Sequence, residues 1–403
     1  MNLFLNNNKF NLLSLLIFGL VLMSSCRKES FNPGQADSFI KFFGDYKNNS
    51  GQAVKTLDDG GYAILGTTTE NSVRKIILIR TDRYGNEIWE PKLYGGEYDN
   101  EAVSLLHAPE GGFTILGNTF VESENRSIVS NMTLIRTDDK GDTLWTKNYG
   151  GYSNDIAHNI TETADGGYIL IGSSENMVTG NLNIFLVKTD AAGDTLWTRK
   201  HGGNADDEGK FITETETGYI YTGYTKSFSQ TSQANSDIFI AKTNATGRII
   251  HPVSYGNSGN DSGKSIVALP EGGYLVMGSI TDPSSNVKNI YLSRIKENIS
   301  ELLWTKQYGG NINHVPNCLK ITSDGNIAIT GTQEFSTGNH FKFLLETDID
   351  GNINFIKTYG GNNFQEANSL DFAEDGGYII TGTNRMGANS MISLVKTKPG
   401  GNL

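Results

Sequence analysis

Seven stretches of this 403-residue chain place a polar pair at a fixed distance from an aromatic-glycine signature. Counting five and six residues on from Phe43, Tyr94, Tyr149, His201, Tyr255, Tyr308 and Tyr359 gives Asn48-Asn49, Asp99-Asn100, Asn154-Asp155, Asp206-Asp207, Asn260-Asp261, Asn313-His314 and Phe364-Gln365. Two residues after each pair stands a small residue (Gly51, Ala102, Ala157, Gly209, Gly263, Ala367) or Pro316. The second members, Asn49, Asn100, Asp155, Asp207, Asp261, His314 and Gln365, form the candidate ligand-binding set, with Glu101 and Glu208 close by. Oxygen donors converging on one axis could hold Ca²⁺ or the hydroxyls of a sugar. Asn and Asp also cap turns, and that competing reading stays open here.

Other chemistry is thinly represented. His107, His158, His201, His251, His314 and His340 fall at unrelated positions, without the spacing of a zinc site. There is no Gly-x-Ser-x-Gly elbow and no phosphate-cradling Gly-x-x-x-x-Gly-Lys-Ser/Thr loop. Asp206 and Asp207 are the sort of paired carboxylates that cleave glycosides, and equally the sort that make turns. A formal net charge of −11 argues against nucleic acid and against an anionic membrane surface as partners.

The elements that must carry these residues announce themselves as repeats. The phrase Asp165-Gly166-Gly167-Tyr168-Ile169-Leu170-Ile171-Gly172 recurs at Asp59, Glu110, Glu216, Glu271, Asp324 and Asp375. A second phrase runs from Lys188 through Asp190, Gly193 and Trp197 to Gly203, with relatives in the other units. A period of about 50 residues means a propeller or a solenoid. Within one unit Ala157–Ala164 alternates, Tyr168–Gly172 is aromatic and β-branched, Ile184–Lys188 is apolar, and Thr195–Lys200 alternates again. Turn glycines separate these four segments, which is the content of a four-stranded blade.

Closure distinguishes the two architectures. The last unit stops at Leu403 before its fourth strand, and Ser38-Phe39-Ile40-Lys41-Phe42-Phe43-Gly44 matches that missing strand in pattern. The expected fold is therefore an all-β, seven-bladed propeller of four-stranded blades over residues 38–403, with an N-terminal strand completing the last blade and leaving no open edge.

The units resemble Gly- and Trp-rich propeller repeats of exported bacterial proteins. The Asp-x-x-Gly-x-x-x-Trp piece (Asp82–Trp89, Asp138–Trp145, Asp190–Trp197) is similar to the docking motif of quinoprotein propellers and, more loosely, to the Asp-box of sialidases. The resemblance covers turns and docking residues, so it implies a fold and no activity.

Two further columns have structural readings. Trp89, Trp145, Trp197, Trp304, Phe355 and Phe39 should pack blade on blade. Arg80, Arg136, Lys188, Lys242, Arg294 and Lys396, interrupted by Glu346, should form a solvated edge or inter-blade ion pairs.

The chain opens with Met1 to Lys9, followed by an apolar run from Leu12 to Met23 and then Ser24-Ser25-Cys26. This pattern predicts a signal peptide over residues 1–25. Met23-Ser24-Ser25-Cys26 resembles the lipobox of bacterial lipoproteins, which implies a lipidated Cys26 and a flexible tether over 26–37. Cys318 would then be an unpaired, buried thiol.

The loops between second and third strands, including Asn118–Asn131, Tyr224–Asp237 and Ser279–Asn289, vary in length and open on the face of the polar pairs. Rigid scaffolds with variable loops at one end present binding faces. The expectation is a non-catalytic platform at the cell envelope, in the outer membrane, recognising an envelope protein or a glycan through that face. The alternative is a glycan-active enzyme, a hydrolase or lyase, using acidic residues at the channel mouth.

Overall fold

The structure, a computed structural model, describes residues 37–403 apart from 46–47, 109, 124–126, 231–234, 336–337 and 362–363. The signal peptide, Cys26 and the tether up to residue 36 lie outside the described residues.

Seven antiparallel four-stranded sheets follow one another along the chain. Blade 3 is representative, with strands Asp155–Glu162, Tyr168–Glu175, Leu182–Thr189 and Thr195–His201 paired in that order. The Asp-Gly-Gly phrases form the hairpins between first and second strands: Gly167 and Thr163 pair across one, and the Asp165 carboxylate accepts the Gly167 amide at 3.0 Å. The second and third strands are buried on both faces, which is why they read as unbroken apolar runs rather than alternations. The outer strand alternates because only one of its faces is covered.

The core is a ring of seven apolar layers, each lying between two blades. Tyr168 and Leu170 belong to the layer shared with blade 2, whereas Ile169 and Ile171 belong to the layer shared with blade 4. The same division recurs around the molecule. The seventh layer joins Ile379, Ile392, Leu394 and Phe43 of blade 7 to Val54, Ile64 and Ile79 of blade 1. That layer closes the ring.

Closure uses the strand the sequence predicts. Phe39–Phe43 pairs antiparallel with Asn389–Lys396, with Phe39 opposite Lys396 and Phe43 opposite Ile392. The N-terminal segment thus becomes the outer strand of the last blade and covers an edge that would otherwise offer free amides and carbonyls.

Adjacent blades are riveted through the aromatic-glycine signature. The Tyr94, Tyr149, Tyr308 and Tyr359 hydroxyls donate to the carbonyls of Gly141, Gly193, Gly351 and Gly401 in the next blade, at 2.7–2.8 Å. Tyr255 does the same to Ile299 at 2.6 Å. The tryptophan column packs over the same turns. A Cβ on Gly193, which has φ +78°, would come within 2.8 Å of the Trp145 ring. Only glycine satisfies both the left-handed backbone and that contact. In the worn fifth repeat Ile299 holds this conformation, φ +52°, with its side chain buried in the layer between blades 4 and 5.

The basic column is neither a solvated edge nor, for the most part, a set of inter-blade pairs. Arg80, Arg136 and Lys188 are buried and bind Asp59, Glu110 and Asp165 of the first hairpin in their own blade. Arg294 and Lys396 follow the same rule with Glu271 and Asp375. The hairpin carboxylate lies at the end of the second strand, directly beside the third, so the nearest counter-ion is within the sheet. Lys242 is the exception and reaches Glu297 in the next blade. Where Glu346 replaces the cation, it accepts from Asn326 of its own blade at 3.2 Å and from the Tyr378 hydroxyl of the next.

Candidate functional site

The seven second-member residues do not ring the channel mouth as donors open to a ligand. Asn49, Asn100, Asp155, Asp207, Asp261, His314 and Gln365 are all buried, with relative exposures of 0–6%. Each hydrogen-bonds groups in or beside the connection that enters its blade. Asp155 accepts the Gly151 amide at 2.9 Å, and Asp207 accepts the Gly203 amide at 2.9 Å and the Ser227 hydroxyl at 2.6 Å. Asp261 accepts the Asn257 and Thr281 amides at 2.7 and 2.8 Å. Asn100 donates to Tyr98 O, Asn49 to Ser390 O and Gln365 to Gly361 O. His314 joins Ile312 O and the Gln333 amide through its two ring nitrogens.

The first members tie neighbouring blades together. Asp99, Asn154, Asp206, Asn260 and Asn313 accept the amides of Arg74, Ser130, Leu182, Ser236 and Lys288, each at the start of the preceding blade's third strand. The fixed spacing therefore encodes a belt of backbone clamps. A chain leaving an outer strand for the next inner strand exposes amides, and short polar side chains are the economical way to satisfy them. Burial pushes the Asp155 and Asp261 carboxyls up from the usual range, and Asp237 adds to the effect at Asp261. Among the described residues no three His, Cys, Asp or Glu converge on a point that could hold a metal ion.

A different set of residues faces the axis, and the sequence signal for it was a break in the alternation. Every inner strand carries a β-bulge immediately after the small residue. The extra residues are Gln52, Val103, His158, Lys210, Lys264, Asn317 and Asn368. A bulge re-aims the side chain it adds. Adjacent ones meet around the channel: Lys210 Nζ lies 3.1 Å from His158 Nε2, and Asn317 Nδ2 lies 3.4 Å from Asn368 Oδ1. On the side of blades 1–3, Ser50, Gln52, Glu101, Val103, Ile156 and His158 line an axial cavity of about 660 Å³. Asn368 and Asn317 also clasp Gly51 O and Ala367 O in the neighbouring blades.

Charge on this wall is uneven. Glu208 lies against Lys210 and 3.2 Å from His158, and accepts the Tyr224 hydroxyl at 2.9 Å. Burial alone would raise its carboxyl, but its contacts with His158 and Lys210 outweigh burial and hold it below the usual carboxylate range. Burial keeps His158 below its ordinary value. Lys264 has no hydrogen-bond or ion-pair partner among the described residues. Burial, and then repulsion from Lys210 and Lys288, brings its amine down to about 8.

The loop-bearing end differs from expectation in detail. Strands extend well into the predicted loops, for example Phe113–Glu122 and Ile128–Thr137 across Asn118–Asn131. Large apolar side chains project there among the polar ones. Tyr152, on the connection from blade 2 to blade 3, and Met177 and Val178, on a loop of blade 3, are exposed, Val178 to 93%. Tyr152 and Met177 line a cavity of about 580 Å³ with Asn148, Asn176, Asn183 and Lys200.

Comparisons with known proteins agree on architecture. No family model matches the chain. The regulatory protein FlaEY of Caulobacter vibrioides is 22% identical over 288 residues, spanning 65% of this chain and 29% of that protein. The chain thus spans under a third of the length of this curated relative. Among solved structures, the hypothetical selenium-binding protein of Sulfolobus tokodaii superposes with a TM-score of 0.54 at 11% identity, covering 89% of this chain and 90% of that one. Chaetomium thermophilum Sqt1, solved bound to the N-terminus of ribosomal protein L10, superposes with a TM-score of 0.50 at 11% identity, covering 90% of this chain and all of its own. Identities this low establish the fold alone.

Proposed function

We propose that this propeller is a non-catalytic binding platform that recognises an envelope protein through the end bearing Tyr152, Met177 and Val178. The observation that carries this reading is the cluster itself. Large apolar side chains stand exposed beside a cavity with an amide-rich wall, and exposed apolar patches rimmed by polar groups mark interaction surfaces. The rigid closed ring beneath them supplies a preorganised support. Sqt1, of the same architecture, was solved bound to the N-terminus of ribosomal protein L10, which supports a binding role for such a ring. The glycan-active alternative draws less support from the acidic column, because Asp155, Asp207 and Asp261 are buried and accept backbone amides.

Export and attachment through a lipidated Cys26 complete the proposal. They rest on the apolar run Leu12–Met23 and the Ser24-Ser25-Cys26 ending. The test is cross-linking capture of the full chain from its own cells, alongside a Tyr152→Ser, Met177→Ser, Val178→Ser variant. Loss of a reproducible envelope partner from the variant is expected. An unchanged partner set would move the binding surface elsewhere, and capture of glycan alone would replace the protein partner.

A further inference from the structure

The axial wall goes beyond that reading, because it lies in the channel and not on the loop cluster. We infer that Lys264, Lys210 and His158 form a site for a compact oxyanion, one bearing phosphate, sulfate or carboxylate oxygens. The three residues occupy the same bulge position in blades 5, 4 and 3, so successive inner strands present them at one level of the channel. Lys210 and His158 already touch, at 3.1 Å. Lys288, exposed at the start of its strand, adds positive charge near Lys264. Glu208 is the acid beside the cluster, and its carboxylate is engaged by Lys210, His158 and Tyr224.

The amines of Lys264, Lys210 and Lys288 outnumber the one carboxylate beside them, Glu208, in a chain of net charge −11, and His158 takes part as a neutral imidazole. Elsewhere on the inner strands the chain supplies a counter-ion: Lys320 binds Asp371, and Lys55 stands beside that pair. At Lys264 the nearest acid, Glu208, acts only from a distance and is already paired with Lys210, so no described residue contacts the Lys264 amine directly. A partly desolvated ammonium with a like charge for a neighbour is unfavourable unless an anion joins it. An oxyanion placed between Lys264 and Lys210 would accept from both amines, and charge-assisted bonds of this kind are the stronger class. The neighbouring Gln52, Asn317 and Asn368 are neutral, and Glu101, the other acid on the cavity wall shared with His158, is paired with Arg74.

The experiment is calorimetry and thermal unfolding of the full chain near pH 7 with inorganic phosphate, sulfate or glucuronate, against chloride at matched ionic strength. At least one oxyanion should bind and raise the unfolding temperature beyond chloride. Lys264→Gln should weaken that binding at least tenfold while unfolding no earlier than the parent without anion, since it deletes an unpaired amine. Lys264→Arg should keep the response, and so should the exposed control Lys140→Gln. A response to phosphate and sulfate alone indicates a free tetrahedral anion, and a stronger response to glucuronate indicates an acidic sugar. Either supports the site. Failure of all three probes, or a Lys264→Gln variant that responds like the parent, overturns it. Neither failure bears on the loop-face cluster, whose own variant tests it separately.

Discussion

The Tyr149 hydroxyl donates to the Gly193 carbonyl at 2.7 Å, joining the last strand of blade 2 to the outer turn of blade 3. The contact is buried, and its equivalents recur around the ring. It explains why an aromatic precedes glycine at the end of most outer strands. His201 fills the column in blade 3, where its Nδ1 lies 2.8 Å from the Tyr221 hydroxyl of the next blade. Phe43, in the completing strand, makes the packing contact without a hydroxyl.

Tyr149→Phe keeps the ring and strands the Gly193 carbonyl. Leaving a buried acceptor unpaired costs about 1–3 kcal/mol. Urea unfolding should show a lower midpoint with an unchanged slope.

Asp207→Ala removes the acceptor of the Gly203 amide and of the Thr225 and Ser227 hydroxyls. A stability loss of about 2–3 kcal/mol is expected from donors left buried without partners. Partner capture through the loop face should persist in whatever fraction stays folded. Loss of capture with full stability would restore a ligand role for this column.

Deleting residues 37–44 uncovers the Asn389–Lys396 edge and opens the last blade. The shortened chain should unfold earlier and self-associate through the free edge. Size-exclusion chromatography against the full chain checks this, and a monomer of parental stability would refute closure by the N-terminal strand.

Lys342 is buried between blades 6 and 7, donating to Thr383 O and Asn384 Oδ1, and burial brings its amine down to about 7. Its folded value lies below the unfolded value, so between those two values the unfolded chain binds more protons. Stability should therefore rise as pH increases from about 7 towards 10, before tyrosine ionisation intervenes. Lys342→Met should flatten that rise in pH-dependent unfolding.

Much of this protein was legible in the residues alone. Period, turn glycines and the match between Ser38–Gly44 and the outer strands determined seven blades and their closure, because hairpins and strand alternation are local and a missing strand leaves an edge. The tryptophan column was equally readable, since a repeated large aromatic has few places to go.

Direction was a different matter. Asp155, Asp207 and Asp261 looked like a converging ring, but only the tertiary structure decided that their carboxylates turn back onto the Gly151, Gly203 and Asn257 amides. The side chains that face the axis, His158, Lys210 and Lys264, follow a bulge, and a single inserted residue reverses which face every later side chain takes. Likewise Lys188 finds Asp165 because hairpin and third strand are neighbours in the sheet, 23 residues apart in the chain. Composition and spacing fix which strands exist, whereas the partner of a charged side chain depends on which unsatisfied group folding brings nearest.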